Sequence, residues 1–203
     1  MSEPDKRNLF VVDLETTGTN PFLHEVLSVG IAPLDPNAEP RVFYVDCDPD
    51  SSAWTSFAKA NFKKFEFEWR LGARSPARVC GDIQSYLESI CGGSATAVGH
   101  NIGFDMAFLR KLAFRGERTD LCGFSHRALD THTMLYLLNL KGVIPASALT
   151  SDGAFQHFGI SVPEADRHTA LGDVIATRML ALQLIQLFSA THARGPARVA
   201  NAF

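Results

Sequence analysis

The chain has 203 residues, with 19 Lys and Arg against 22 Asp and Glu, and a formal net charge of −3. This length predicts one domain, and the 46% hydrophobic fraction supports a substantial core rather than a disordered chain. The net charge excludes a surface that is basic throughout, but a local basic strip that binds nucleic acid remains compatible with it.

The sequence gives no sign of a membrane or secretory segment. No apolar run is expected to approach the roughly 18–20 residues that cross a bilayer, and residues 1–8 are polar. The cysteines lie far apart without a C-x-x-C pair, which favours a reducing compartment and disfavours a zinc knuckle; they are Cys47, Cys80, Cys91 and Cys122. We therefore expect a soluble, cytoplasmic protein with no membrane partner.

Hydrophobic patterning predicts strands and helices in an alternating order. Three early strands suggest an antiparallel meander, and later strands alternate with helices, which predicts an α/β domain on a mixed sheet. The predicted strands are 9–12, 25–32, 41–45, 96–100 and 128–131, and the predicted helices are 76–91, 104–114, 147–158 and 170–188. Residues 51–75, rich in Phe and Lys, have no clear pattern. We place the domain at 1–190 and a flexible C-terminal tail at 191–203.

Two carboxylates stand at the end of the first predicted strand. Asp13 and Glu15 are two residues apart, so a strand projects both from one face. Burying unpaired like charges costs several kcal/mol, so something positive must compensate them. The sequence leaves three explanations open: a helix cap, a salt bridge to Arg or Lys, or a divalent cation held between the two side chains.

Three further residues fit the same chemistry. Asp105 follows the strand 96–100 and its turn at the start of a helix, where an Asp is also common for capping. His168 and Asp173 are five residues apart, which is not one helical face, so they converge only if His168 lies in the loop before the helix. Four carboxylates and a histidine suit two Mg²⁺ or Mn²⁺ ions that clamp a phosphate, with the histidine accepting a proton from water.

The chain resembles the DEDDh 3′–5′ exonucleases, a group that includes the epsilon proofreading subunit of DNA polymerase III, RNase T and oligoribonuclease. Three segments carry the resemblance, in the same order as the exonuclease motifs: VDLETTG at 12–18, GHNIGFD at 99–105 and HTALGD at 168–173. The resemblance extends over residues 8–188. The segment 51–75 matches no motif of the family, and Gly172 stands where a charged or polar residue is frequent.

This resemblance implies a ribonuclease-H-like fold with a five-stranded mixed sheet and a role for each matched residue. Asp13 would bridge two divalent metal ions, Glu15 and Asp173 would complete the metal on the nucleophile side, and Asp105 would hold the second metal. His168 would be the general base. Flanking residues would hold the terminal nucleotide: Thr16, Thr17 and His100. The product would be a nucleoside 5′-monophosphate released stepwise from a 3′ end.

The sequence leaves the substrate and partners open. The sequence ETTG at 15–18 favours DNA as the substrate, with RNA or short oligoribonucleotides as the alternative. A catalytically silent binding module and an endonuclease are further alternatives for the function. The basic and aromatic stretch 54–78 is hypothesised to line the path of a single strand, with Lys63 and Lys64 as phosphate contacts. In the competing interpretation, most of its aromatic rings pack on the sheet. A homodimer or an association with a polymerase is also left open.

Overall fold

The computed structural model describes residues 8–48 and 53–192 and contains a five-stranded sheet of order β3-β2-β1-β4-β5. The central strand β1 is antiparallel to β2 and parallel to β4; β3 is antiparallel to β2, and β5 is parallel to β4. The strands are β1 Leu9–Thr16, β2 Val26–Pro33, β3 Arg41–Tyr44, β4 Ala95–Gly99 and β5 Phe124–Asp130. This confirms the predicted α/β class and the mixed five-stranded sheet.

Seven helices accompany the sheet in the described part of the chain. They are α1 Ser56–Phe62, α2 Glu66–Gly72, α3 Pro76–Cys91, α4 Gly103–Arg115, α5 Thr131–Leu140, α6 Ser151–His157 and α7 Ala170–His192. The bounds of α3 match the predicted signals. The Ser75 hydroxyl accepts from the Arg78 N–H, Pro76 is the first helical residue, and Gly92 ends the helix with a left-handed φ of 63°.

Several predicted boundaries were wrong. Residues 51–75, left without a pattern, contain the two short helices α1 and α2. The predicted helix 147–158 is a 3₁₀ turn, Ala146–Leu149, followed by α6, because the Thr150 side chain accepts from the Gly153 N–H and starts a new helix. The fifth strand begins at Phe124, earlier than predicted, and Asp130 caps α5 through the His132 N–H at 3.0 Å.

The predicted boundary between domain and tail falls inside α7, which continues to His192. The rest of the predicted tail, 193–203, lies outside the described residues, as do residues 51 and 52 of the unplaced segment. The assignment of 1–190 as one domain stays a prediction.

Alternate residues of β1 face two hydrophobic layers. Phe10 and Val12 belong to the cluster formed with α3 and α4, whereas Val11 belongs to the cluster formed with Val174 and Ala181 of α7. Because the side-chain period of a strand is two, the odd-numbered residues further along β1 point to the α7 side. This parity directs the acidic side chains of β1 towards the start of α7.

Helix α7 corrects the prediction that no apolar run approaches a membrane-spanning length. Its segment Ala170–Ser189 is long and apolar enough to span a bilayer by length and composition, with a mean hydropathy of 1.4. The helix packs on the sheet, however, and Val174, Leu180 and Leu184 are fully buried. We therefore interpret α7 as a core helix of the domain.

Candidate active site

Three carboxylates meet where β1 ends and α7 begins. One oxygen from each of Asp13, Glu15 and Asp173 lies within 4.8 Å of the other two. Asp13 and Glu15 come from β1, and Asp173 lies in the first turn of α7. The parity of β1 and the start of α7 thus bring together residues that are about 160 positions apart in the sequence.

Two glycines allow the start of α7 to come this close. A Cβ atom on Gly30 of β2 would lie 2.2 Å from the carbonyl oxygen of Ala170, so any side chain there would push α7 away from the sheet. A Cβ atom on Gly172 would lie 2.1 Å from the carbonyl oxygen of Asp166. The glycine that departs from the family pattern at 172 is therefore required by the close packing of the preceding loop.

A fourth carboxylate is attached to the same strand from the opposite layer. Asp105 lies in the first turn of α4 and is buried, and its Oδ1 accepts a hydrogen bond of 3.0 Å from the Leu14 N–H. Leu14 stands between the two acidic residues of β1. Asp105 is not one of the three clustered carboxylates, but its charge contributes to the raised pKa of Asp13.

Burial makes these carboxylates unusually basic. Desolvation, followed by the charges of Asp105, Glu15 and Asp173, raises the pKa of Asp13 well above its ordinary value. Desolvation also raises the pKa of Glu15 to about 8 and that of Asp105 to about 8. Ionising all four groups is therefore costly unless a cation is bound. A donor set made only of oxygen atoms fits hard divalent ions such as Mg²⁺ and Mn²⁺.

Arg167 compensates part of this charge. Its guanidinium forms ion pairs with Asp173 and Asp152, and it lies over the ring of Phe155. Arg167 lowers the pKa of Asp173, although desolvation leaves the net shift upward. Arg167 thus forms a salt bridge with Asp173, but within 8–48 and 53–192 no Arg or Lys forms an ion pair with Asp13 or Glu15, the residues for which a salt bridge was one of the open explanations.

His168 lies in the loop before α7, as its spacing from Asp173 requires. Its backbone has a left-handed φ of 57°, and its N–H donates to Asp173 Oδ2 at 3.2 Å. The imidazole Nδ1 is 3.9 Å from the same oxygen, and the side chain is 42% exposed. The ring meets Phe57 edge-on, with 5.4 Å between centroids. His168 is thus held at the rim of the carboxylate cluster, where water can reach it.

The structure adds Asn61 of α1, which sequence reasoning did not assign to the site, and it shows Lys64, hypothesised as a phosphate contact, bound to the loop before α7. The Asn61 amide donates to Glu15 Oε2 at 3.3 Å and to the carbonyl oxygen of His168 at 2.5 Å. Lys64 Nζ donates to the carbonyl oxygens of Arg167 at 2.7 Å and Glu164 at 3.3 Å. No motif covers this segment, so the sequence carried no signal for these contacts.

The residues predicted to hold a terminal nucleotide have different surroundings. His100 lines a cavity of about 190 Å³ together with Asp13, His168 and Asp173. The Thr16 hydroxyl donates to the Gly18 carbonyl at 2.7 Å, and Thr17 is fully buried with its hydroxyl accepting from the Glu25 N–H. The geometry places His100 at the site and gives both threonines a part in shaping the loop after β1.

Some aromatic rings of the segment 54–78 pack in the core, as the competing interpretation expects, and others are exposed. Phe62, Phe65 and Trp69 are buried together in one cluster against Leu27. Phe57 and Phe67 remain exposed. Of the two lysines hypothesised to contact a strand, Lys64 binds the loop before α7, whereas Lys63 makes no such hydrogen bond within residues 8–48 and 53–192.

The order and directions of the five strands are those of a ribonuclease-H-like fold, and comparisons with known proteins agree. In solved structures, E. coli exonuclease I in complex with a dT13 oligonucleotide superposes with a TM-score of 0.68 at 22% identity, covering 90% of this chain and 42% of that chain. The zinc-bound form of the E. coli exonuclease I–ssDNA complex gives a TM-score of 0.69 at 22% identity, covering 91% of this chain and 42% of that chain. The chain has this fold.

A more particular similarity comes from sequence. A DNA polymerase III subunit epsilon-like protein of Rhodobacter capsulatus is 38% identical over 101 residues, which are 50% of this chain and 13% of that protein. No protein-family model matches the chain. The chain thus spans less than half the length of each of these relatives. Together the similarities confirm the predicted resemblance to the DEDDh-type 3′–5′ exonucleases.

Proposed function

We propose that this protein is a metal-dependent 3′–5′ exonuclease that hydrolyses single-stranded nucleic acid, with DNA favoured, and releases nucleoside 5′-monophosphates. The observation that carries the proposal is the cluster of Asp13 and Glu15, both half-buried, with the buried Asp173, and with His168 at its rim. A binding module that performs no chemistry gains nothing from four carboxylates whose ionisation burial opposes. This cost argues for a catalytic site rather than the silent module.

The carboxylates would hold two divalent cations, Mg²⁺ or Mn²⁺. Asp13 would contribute to both positions, Glu15 and Asp173 to one, and Asp105 to the other. When bound, such cations supply a nucleophilic water at neutral pH and neutralise charge on the phosphate. The raised pKa values of Glu15 and Asp105 support this assignment, because a bound cation favours the ionised forms that burial disfavours.

The protein side chains have separate tasks in this proposal. His168 accepts the proton of the attacking water, since its imidazole is at the rim and solvent reaches it. The His168 N–H donates a hydrogen bond to Asp173, and the Asn61 amide donates one to the His168 carbonyl oxygen. These two hydrogen bonds fix the loop from two sides. His100 lies in the cavity beside Asp13 and is proposed to contact the terminal nucleotide, with Thr16 and Thr17 forming the adjacent loop.

DNA is favoured because the similar proteins are named as DNA polymerase and DNA-bound exonuclease structures. RNA or short oligoribonucleotides remain the second candidate, since contacts to the 2′-hydroxyl decide this choice and lie outside the motifs. A cytoplasmic location is part of the proposal and agrees with four free cysteines. A homodimer and an association with a polymerase are proposals that oligomer measurements and pull-down with a polymerase would test.

One digestion series tests the proposal. Single-stranded DNA, duplex DNA, RNA and dinucleotides, each labelled at the 5′ end, are incubated with Mg²⁺ or Mn²⁺, with EDTA as the blank. The expected result is a ladder that shortens from the unlabelled end, is fastest on single-stranded DNA and is absent in EDTA. Faster shortening of RNA would move the substrate to the second candidate.

Matched variants separate the site from contaminating nuclease. Asp13→Asn and His168→Ala should remove the ladder, whereas the exposed controls Asp82→Asn and His126→Ala should preserve it. A ladder of normal rate from both site variants, with all four proteins folded, would exclude the proposed reaction.

A further inference from the structure

The two most exposed large apolar side chains of the described residues line one cavity. Phe22 is 92% exposed and Phe114 is 81% exposed. Both face an open cavity of about 530 Å³, whose other lining residues are Pro21, Ala107, Arg110 and Lys111. We call these six residues the α4 groove. Two exposed rings in one concavity indicate a binding surface, because single exposed apolar residues are ordinary but a shared patch is not.

The groove has fixed walls. Phe22 lies in the loop between β1 and β2, and its N–H donates to Asn20 Oδ1 at 2.9 Å. The Asn20 N–H in turn donates to His24 Nδ1 at 2.9 Å. Lys111 Nζ donates to the His24 carbonyl at 2.5 Å and pairs with Glu25 at 3.0 Å. The loop that carries one ring is therefore tied to the helix that carries the other.

The charge of the groove is positive although the chain is net negative. Helix α4 presents Arg110, Lys111 and Arg115 on this side, and Glu25 forms ion pairs with Lys111 and Arg115. Arg110 is exposed, and its guanidinium donates to the Met106 carbonyl of its own helix at 3.2 Å. Rings that stack on bases, beside cations that contact phosphates, form the surface that binds single-stranded nucleic acid.

The groove shares two elements with the acidic site. Its loop follows directly after Thr16, and its helix begins with Asp105 in the first turn. At about 1.5 Å of rise per residue, Ala107 and Phe114 lie about 3 and 14 Å along the α4 axis from Asp105. They also lie about 200° and 180° around the helix from Asp105, so a strand whose 3′ end reaches the carboxylates must cross from one face of α4 to the other to enter the groove.

We propose that the α4 groove binds the part of the single strand on the 5′ side of the scissile end, with bases stacked on Phe22 and Phe114 and a phosphate on Arg110. This inference rests on the proposed function and extends it, since it gives the enzyme a reason to prefer long single strands over dinucleotides. No motif of the sequence pointed to it, because Phe22 and Phe114 lie between the three motif segments.

Binding without cleavage tests the groove. Fluorescence anisotropy in EDTA compares an oligothymidylate of about 16 nucleotides with one of about three, lengths that bracket common single-strand site sizes. The variants are Phe22→Ala with Phe114→Ala, and Arg110→Gln. The control carries Leu140→Ala with Arg127→Gln, which removes an exposed apolar residue and an exposed arginine from α5 and β5.

The double phenylalanine variant should weaken binding of the long oligonucleotide by at least about tenfold and that of the short one by less than about twofold. Arg110→Gln should reduce the salt slope of log K by about 0.7. The proposal for the groove would be overturned by unchanged affinity for the long strand, by equal losses of affinity for both lengths, or by an equal loss of affinity in the control. So would a wild-type dimer that the double variant converts to monomer, because the patch would then join two copies.

Failure of the groove and failure of the proposed function give different results. Cleavage of the short oligonucleotide with Mn²⁺ by the unmodified chain reports the reaction, and the anisotropy series reports the groove. An active enzyme whose variants bind the long strand normally keeps its function and loses the groove. An inactive chain loses the function, and the binding data still decide whether the groove contacts nucleic acid.

Discussion

Two glutamates at the same end of the paired strands β1 and β2 have oppositely charged neighbours. Glu25, just before β2, pairs with Lys111 at 3.0 Å and with Arg115. Glu15, near the end of the neighbouring strand β1, lies beside Asp13 and Asp173 and receives a hydrogen bond from the neutral amide of Asn61. Burial raises the pKa of Glu15 to about 8, whereas Glu25 is balanced by cations of the protein itself.

The comparison separates charges that are paired within the fold from the charges that we propose bind a cation. The Glu25 pairs join the β1–β2 loop to α4, so their positive partners come from the chain. The carboxylates around Glu15 obtain one guanidinium, that of Arg167, through Asp173. The acids around Glu15 have fewer positive partners than their number requires, whereas Glu25 close by has two. This uneven pairing is the charge distribution expected of a cation-binding site.

Replacing one acid of each kind should give the largest contrast. Asp13→Asn should lower the exonuclease rate by about a thousandfold, or about 4 kcal/mol, because it removes the carboxylate shared by both cation positions. In EDTA the same variant should melt at or above the wild-type temperature, since a buried repulsive charge is gone. Digestion assays and thermal melts check both results.

The counterpart Glu25→Gln should do the reverse. It should cost about 1 kcal/mol of stability, since Lys111 and Arg115 lose their partner, and should retain most activity on dinucleotides. Loss of activity in this variant equal to that of Asp13→Asn would erase the distinction between the two glutamates.

The pH dependence of stability should show the raised pKa values. Glu15 and Asp105, with pKa values of about 8 when folded against 4.5 and 3.8 ordinarily, bind more protons in the folded state than in the unfolded state. Their contribution to stability is therefore complete below about pH 4 and falls as the pH rises to about 8. In EDTA we expect the melting temperature to fall by about 10 °C across that window.

Saturating Mg²⁺ or Mn²⁺ should remove most of this fall, because the cations stabilise the ionised carboxylates. Melting curves at each pH, with and without the ion, measure the difference. A melting temperature that is flat in EDTA, or that rises towards pH 8, would show that the acids are compensated within the protein.

Replacing Asn61 tests whether the neutral amide that donates a hydrogen bond to Glu15 positions the site. Asn61→Ala removes hydrogen bonds to Glu15 and to the His168 carbonyl. We expect kcat to fall about 10–100-fold with little change in KM, and Mn²⁺ to bind more weakly in calorimetry, because small displacements of reacting groups are costly.

Asn139→Ala is the matched control for this change. Its amide donates to the Ile144 carbonyl at 2.9 Å, away from the site, so it loses a comparable hydrogen bond. If Asn139→Ala slows the reaction as much as Asn61→Ala does, the effect is one of general stability.

The smallest effect is expected at Phe57. Its ring meets His168 edge-on, and it is 64% exposed. Phe57→Ala should lower kcat about fivefold, or about 1 kcal/mol, because the imidazole loses the contact that restricts it. Phe67→Ala, at an equally exposed ring of α2, should leave kcat unchanged, and the melting temperatures of both variants should stay close to that of wild type.

Local sequence predicted the main elements and the carboxylates well, and long-range contacts explain the failures. The strand parity at Asp13 and Glu15 and the loop position of His168 could be predicted, because both follow from backbone geometry over a few residues. The contacts of Asn61 and Lys64 could not, because these two residues lie in a segment without a motif and their partners are distant in the sequence.

The sequence by itself determined the class of fold, the identity of the acidic and basic groups and the order in which they occur, since hydrophobic period and residue chemistry are local properties. The tertiary structure alone decided which charges meet a cation of the protein and which do not. Packing at Gly30 and Gly172 sets how closely α7 approaches the sheet, and that approach determines the distances on which desolvation and Coulomb interactions depend.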